Sequence, residues 1–240
     1  MTINAEGMHF QTLCTQIKEA APEPVVVENC MGQRYIGSGM SGADITIHGT
    51  PGNALGAYFD GGRILVGGNA QDATGDTMND GEIIIHGSSG DATGYAMRGG
   101  KIFVKGNTGY RAGIHMKAYQ QKLPVLVIGG RAGNFLGEYQ AGGKIIVLGL
   151  EIGGSSPVGD FCGTGMHGGA IYIRCQQPPE HLPEQVAVSK ATAEDLTEVA
   201  PEVERYCDLF GGSARALLED SFYVLRPNKA NPYKRLYTHN

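Results

Sequence analysis

The sequence predicts a right-handed parallel β-helix, an all-β solenoid with short helical segments at its two ends. Three observations carry that expectation. Glycine supplies 38 of the 240 residues, and 35 of these lie between Gly32 and Gly169, far above the usual share of about 7%. A self-similarity of fixed period runs through the same region. Each period holds one short apolar segment, rich in β-branched residues and bounded by glycine, which reads as a strand.

The elements follow in chain order. Phe10, Leu13 and Ile17 are spaced i, i+3, i+7 with Pro22 beyond, which predicts an amphipathic helix within an N-terminal cap over residues 1–24. The repeating body spans residues 25–175. Its turn glycines Gly37, Gly56, Gly75, Gly94 and Gly113 are separated by four intervals of 19 residues, and longer units begin at Gly137 and Gly159. Inside the units stand the triplets Ile45-Thr46-Ile47, Ile64-Leu65-Val66, Ile83-Ile84-Ile85, Ile102-Phe103-Val104, Leu126-Val127-Ile128 and Ile145-Ile146-Val147. A 19-residue unit cannot bury its own apolar face, but stacked units can, each strand pairing in parallel with the next. Asn53, Asp72, Asp91 and Asn134 sit just before the next unit, where an Asx side chain can bond its own turn. Pro178-Pro179 ends the repeats. A C-terminal tail over residues 176–240 is expected to pack on the body. It would hold a helix from Pro201 to Phe210 stopped by Gly211-Gly212, a second from an N-cap at Ser213 to Glu219, and a strand over Phe222–Leu225.

Alternation along a strand sends the first and third members of each triplet inward and the middle one outward. The outward column is then Thr46, Leu65, Ile84, Phe103, Val127, Ile146 and Tyr172, an apolar stripe that needs a cover. The chain's own C-terminal segment (Leu217, Leu218, Phe222, Val224) is the favoured cover. The alternatives are the N-terminal helix or a partner subunit, which makes Leu65, Ile84, Phe103, Val127 and Ile146 candidate partner contacts.

The net charge of −5 gives no electrostatic case for nucleic acid or an anionic membrane. The basic residues Arg226, Lys229, Lys234 and Arg235 read as a solvated tail. The N-terminus lacks a signal-peptide pattern and no segment is long and apolar enough to span a bilayer, so a cytoplasmic protein is expected. Five scattered cysteines without a CxxC pair read as reduced thiols, not as an iron–sulfur or zinc site.

Motifs that suggest chemistry fail on context. GSGMSG (Gly37–Gly42) and GTGMHG (Gly163–Gly168) match a dinucleotide fingerprint, but strand-like sequence follows each where a helix is required. No serine sits in GxSxG. His48 and His86 occupy equivalent positions two units apart, about 9–10 Å, too far to share a metal. His115 and His167 lie in irregular units, which in repeat proteins tend to gather on a working face, and are further candidates for partner contact. No catalytic, cofactor-binding or metal-binding residue is expected.

The run NCMGQRYIGSGMSG (Asn29–Gly42), the 19-residue units, GTGMHGGAIYIR (Gly163–Arg174) and the tail PEVERYCDLFGGSARALLED followed by YVLRPNKANPYKRLY together resemble the C-terminal GXGXG domain of the glutamate synthase large subunit. The resemblance covers residues 25–237. It implies a β-helix that brackets catalytic domains without catalytic residues of its own, here as a stand-alone subunit. Its partners would be a glutaminase subunit of the class II amidotransferase type and a synthase subunit carrying FMN and an iron–sulfur cluster. No cofactor would sit on this chain, and a homo-oligomer is compatible with the reading. Three alternatives stay open: the GXGXG-bearing subunit of formylmethanofuran dehydrogenase, the matching subunit of an N-methylglutamate synthase, and an independent β-helix binding module.

Overall fold

The structure, a computed structural model, describes residues 1–228. Lys229, Lys234 and Arg235 of the basic tail lie outside the described residues. The elements are β1 (Thr2–Asn4), α1 (Phe10–Ala20), β2 (Val25–Met31), β3 (Ser41–Thr50), β4 (Asp60–Val66), β5 (Asp80–Ile85), β6 (Lys101–Val104), β7 (Val125–Ile128), β8 (Ala141–Val147), β9 (Gly168–Arg174), β10 (Val186–Lys190), α2 (Ala193–Phe210), α3 (Ala214–Leu218) and β11 (Phe222–Pro227).

The expected fold class is corrected here. All eleven strands belong to one sheet, in the order β1-β2-β3-β4-β5-β6-β7-β8-β9-β11-β10. The result is an open, mostly parallel sheet with a few short helices, an α/β-like arrangement, and not an all-β right-handed β-helix. Only β11 runs against the other strands, pairing antiparallel with β9 on one side and with β10 on the other. Between strands the chain does not build further sheets. Its backbone passes through tight turns, and the β-contacts there reduce to isolated parallel bridges such as Ala70↔Ser89 and Ser89↔Thr108.

The triplets fix the register. Ile45 pairs with Ile64, Ile64 with Ile83, Ile83 with Ile102, and so on to Ile171, so equivalent residues face their equivalents strand after strand. The first and third triplet residues join Ile36, Leu55, Phe59, Met78, Met97 and Met116 from the turns in one core on one face of the sheet. The repeat glycines explain why the turns fit that core. Gly56, Gly75, Gly94, Gly113 and Gly137 each donate to the carbonyl of the preceding unit at 2.8 Å. All have φ between +64° and +73°, a region open to glycine without cost. At Gly56, Gly75, Gly113 and Gly137 a Cβ would occupy the space that the inner isoleucine of the next unit's strand fills. Gly159 departs from the expected series: its N–H bonds Ala132, while Gly163 takes the equivalent position and bonds Leu136. The inserted stretch around Gly153–Ser156 shifts the last unit by four residues.

The helices depart from expectation at one point. α2 begins at Ala193, two turns before Pro201, and holds that proline inside it. A capping box sets its start, with Thr192 Oγ1 accepting from the Asp195 N–H and Asp195 accepting from the Thr192 N–H. α1 buries Leu13 and Ile17, and Ser213 caps α3. No helix among the described residues is long and apolar enough to cross a membrane.

Candidate docking face

The middle triplet residues form the second face of the sheet, and the chain covers it itself. Phe103, Val127, Ile146 and Tyr172 pack with Val199, Val203 and Tyr206 of α2 and with Phe222 and Val224 of β11. Leu217 and Leu218 flank this cluster. Ion pairs pin α2 across the strands: Arg205 to Glu82 at 2.6 Å, Lys101 to Glu202 at 2.8 Å, Lys144 to Glu198 at 3.3 Å, and Arg226 to Asp195 at 2.5 Å. Tyr206 Oη donates to the Lys105 carbonyl, and Tyr172 Oη to Glu198 at 2.9 Å. Burial, with the Glu198 hydrogen bond, raises the Tyr172 phenol above its ordinary range. As candidate partner contacts, Ile84, Phe103, Val127 and Ile146 are therefore corrected: each is fully buried, and Leu65 is half-buried. The cover that sequence reasoning missed is α2, whose first turns lie before the proline taken as its start.

The exposed surface of the repeats lies on the turns. Two columns of equivalent residues run along it, and in both the backbone is left-handed even without glycine: Tyr35, Ala54, Ala73, Ala92, Arg111, Phe135 and Phe161 in one, Tyr58, Thr77, Ala96, His115 and Tyr139 in the other. From Tyr35 to Phe135 and from Tyr58 to Tyr139, each such N–H is thereby aimed at a carbonyl of the next unit, as in Arg111 to Asn134 and His115 to Glu138, both at 2.9 Å. A left-handed conformation at a non-glycine residue costs about 1–2 kcal/mol, offset by these inter-unit bonds. Bulky residues in this region are uncommon, which is why the sequence did not disclose them.

Side chains tie the units together as well. Asp72 Oδ1 accepts from the Asp91 N–H and Asp91 Oδ1 from the Tyr110 N–H, both at 2.8 Å, while Asn134 accepts from Asp160 at 3.0 Å. These Asx residues thus bond the neighbouring unit, not their own turn. Asn69, Ser88 and Asn107 form a second ladder of the same kind.

Aromatic rings then collect on this side. The His115 and Tyr139 rings stack at 5.2 Å and 11°, and Tyr95 meets His115 edge-on at 5.9 Å. Phe135 lies 5.4 Å from Tyr110 and 4.9 Å from Phe161. The Arg111 guanidinium sits 4.7 Å over Tyr110 while its Nε donates to Glu138 at 2.6 Å. Tyr58 is 57% and Phe161 49% exposed. Of the two irregular-unit histidines, His115 is part of this surface; His167 is half-buried, near the Gly165 carbonyl.

Other groups do not assemble. His48 pairs with Glu28 at 2.9 Å and the His86 ring meets Phe210, so the two imidazoles serve different neighbours. Among the described residues no three His, Cys, Asp or Glu side chains are placed to hold a metal ion. Burial pushes the Cys162 thiol up to about 12 and those of Cys30 and Cys175 up to about 11, which removes the thiolate that nucleophilic chemistry needs. A cleft of about 770 Å³ opens beside the inserted loop at Gly154–Ser156, and another of about 880 Å³ beside His48 and Glu28.

Comparison with known proteins places this architecture. The chain is 45% identical to an uncharacterized protein of Methanocaldococcus jannaschii, over 99% of this chain and 96% of the relative. A chain in the crystal structure of the formyltransferase/hydrolase complex (FhcABCD) from Methylorubrum extorquens, solved with methylofuran, superposes with a TM-score of 0.63. The match covers 92% of this chain and 88% of that one at 18% identity, a likeness of fold. The GXGXG motif family matches residues 20–228, and the chain belongs to that family.

Proposed function

We propose that this chain is a non-catalytic structural subunit of a multi-subunit enzyme complex of the glutamate synthase type, working in glutamate biosynthesis in the cytoplasm. The observation that carries the reading is the GXGXG match across residues 20–228, joined to the sequence resemblance of the tail. Its partners are a glutaminase subunit and a synthase subunit, and FMN and the iron–sulfur cluster sit on the latter. Residues 25–175 form the bracket, and the segments 1–24 and 176–228 close it. A second reading, a subunit of a formylmethanofuran dehydrogenase-like complex, is favoured by one finding: the fold matches a chain from a formyltransferase/hydrolase complex. An N-methylglutamate synthase subunit shares the support of the first reading.

The test is purification of the native complex through a tag on this chain, with partners identified by peptide mass and flavin read by absorbance. Stoichiometric recovery of a glutaminase and a flavin-containing synthase is expected, with the flavin absent from the separated chain. Recovery of a molybdenum- or tungsten-containing subunit instead would select the second reading.

A further inference from the structure

Resting on the reading of this chain as a subunit, we infer that the turn side carrying the stacked aromatics is the partner interface, and that the docking surface is a basic, apolar patch of a partner polypeptide. Two independent features point there. The first is packing: Phe135, Phe161, Tyr110 and Tyr139 stand partly exposed on adjacent units. Their rings are already ordered by mutual contact. Rigid aromatics of this kind, with arginine among them, are what protein interfaces concentrate at their centres. Little side-chain entropy remains to be lost on binding, because the rings hold one another in place.

The second feature is charge. The two left-handed columns, with the columns one residue before each, carry Arg34 and Arg111 against Asp72, Asp76, Asp91, Glu138 and Asp160, a net −3 with histidines left aside. Arg111 is internally satisfied by Glu138, and Arg34 stacks on the Phe10 ring. The carboxylates of Asp72, Asp76 and Asp91 lie toward the earlier units and the phenylalanines toward the later ones. A partner that fits therefore presents lysine or arginine beside aliphatic side chains. The basic groups can pair with the carboxylates and stack on the rings. The same acidity repels a nucleic acid or an anionic membrane.

The experiment compares variants in the native complex purified through a tag on this chain. Tyr139→Asn with Phe161→Asn removes the rings and keeps a residue type that tolerates left-handed backbone. Asp72→Asn with Asp91→Asn removes two charges and keeps the acceptor oxygen for the ladder. Tyr119→Asn, on a separate loop, is the control. The ring pair should cut partner recovery at least tenfold. The charge pair should cut it severalfold and weaken its salt dependence, and the control should leave it unchanged. Unchanged recovery with either pair, at an unchanged melting temperature, overturns the inference while leaving the subunit reading intact. A wild-type chain that carries no stoichiometric partner overturns both. A wild-type dimer dissolved by the ring pair would assign the face to a second copy and also overturn it. If the ring pair fails to fold, amide exchange decides: residues 135–161 of the wild-type chain should be slower to exchange in the complex than when separated, and equal rates refute the inference.

Discussion

At the residue scale, the turn glycines divide into two kinds that look alike in sequence. Gly75 has φ +72° and its missing Cβ leaves room for the Ile102 side chain, whereas Gly39 has φ +66° and open space around it. Gly75→Ala meets both left-handed strain and the isoleucine, so a loss of about 2 kcal/mol or more is expected. Gly39→Asn meets neither and should be nearly neutral, because asparagine adopts this backbone readily. Thermal melting of the two variants checks the contrast, and equal losses would contradict the packing account. The thiols give a second residue-scale test. With Cys30, Cys162 and Cys175 raised by burial, alkylation at pH 8 should leave them unmodified until denaturant is added. Rapid labelling of Cys162 in the native protein would show that its site opens.

At the scale of elements, α2 holds the second face of the sheet closed. Replacing Phe103 by aspartate puts a charge beneath it with no partner, and a loss of about 4 kcal/mol is expected. Folding should therefore fail before any question of assembly arises; a well-folded Phe103→Asp would mean that α2 detaches. The Asp195 carboxyl adds a pH dependence. Burial of this group raises its pKa, but the hydrogen bonds from Thr192 and the Arg226 guanidinium outweigh that effect and hold it below the usual carboxylate range. A depressed folded-state pKa contributes stability that is present above the unfolded value of about 3.9 and is lost as pH falls through the folded value. Wild type should therefore exceed Asp195→Asn in stability at neutral pH, with the gap closing below about pH 4. A gap constant from pH 7 to pH 3 would refute that assignment. α2 also shows where sequence reading stopped short. Pro201 is an acceptable first residue of a helix, and so it masked the stronger start signal at Thr192-x-x-Asp195, which was legible in the residues.

For the whole molecule, the strand positions, their parallel pairing and the inward or outward sense of each triplet were legible, because Ile45, Ile64 and Ile83 repeat at a fixed interval and period-2 alternation leaves no choice of face. The closure of the fold was not. A 19-residue period is equally compatible with several stacked sheets and with one sheet joined by turns. The difference lies in left-handed residues such as Phe135 and Arg111, which carry no local signature. The candidate docking face was legible only at His115. Its rings come from positions such as Tyr95, Tyr110 and Phe161, whose equivalents in the other units share no residue type, and they meet only once the units are in register. That register has an end: β11 reverses direction beside β9 and β10 reverses again beside β11, and the exposed outer strand carries Lys190, a device that discourages edge-to-edge pairing.

The pairs that fasten α2 also act as a ruler. An 18-residue helix measures about 27 Å at 1.5 Å per residue. The strands from β5 to β11 that it crosses lie five spacings apart, about 24 Å. Arg205 reads Glu82 at one end and Asp195 reads Arg226 at the other; these helix positions are ten residues, about 15 Å, apart, and the two long arginine side chains reach across the remainder, so the helix counts the strands between them. Duplicating one 19-residue unit between β3 and β4 leaves that span unchanged and should preserve the melting temperature. The same duplication between β6 and β7 lengthens it by about 4.8 Å, so one end pair must break and stability should fall. The number of repeats under the helix is thus set by the length of an element that contains no repeat.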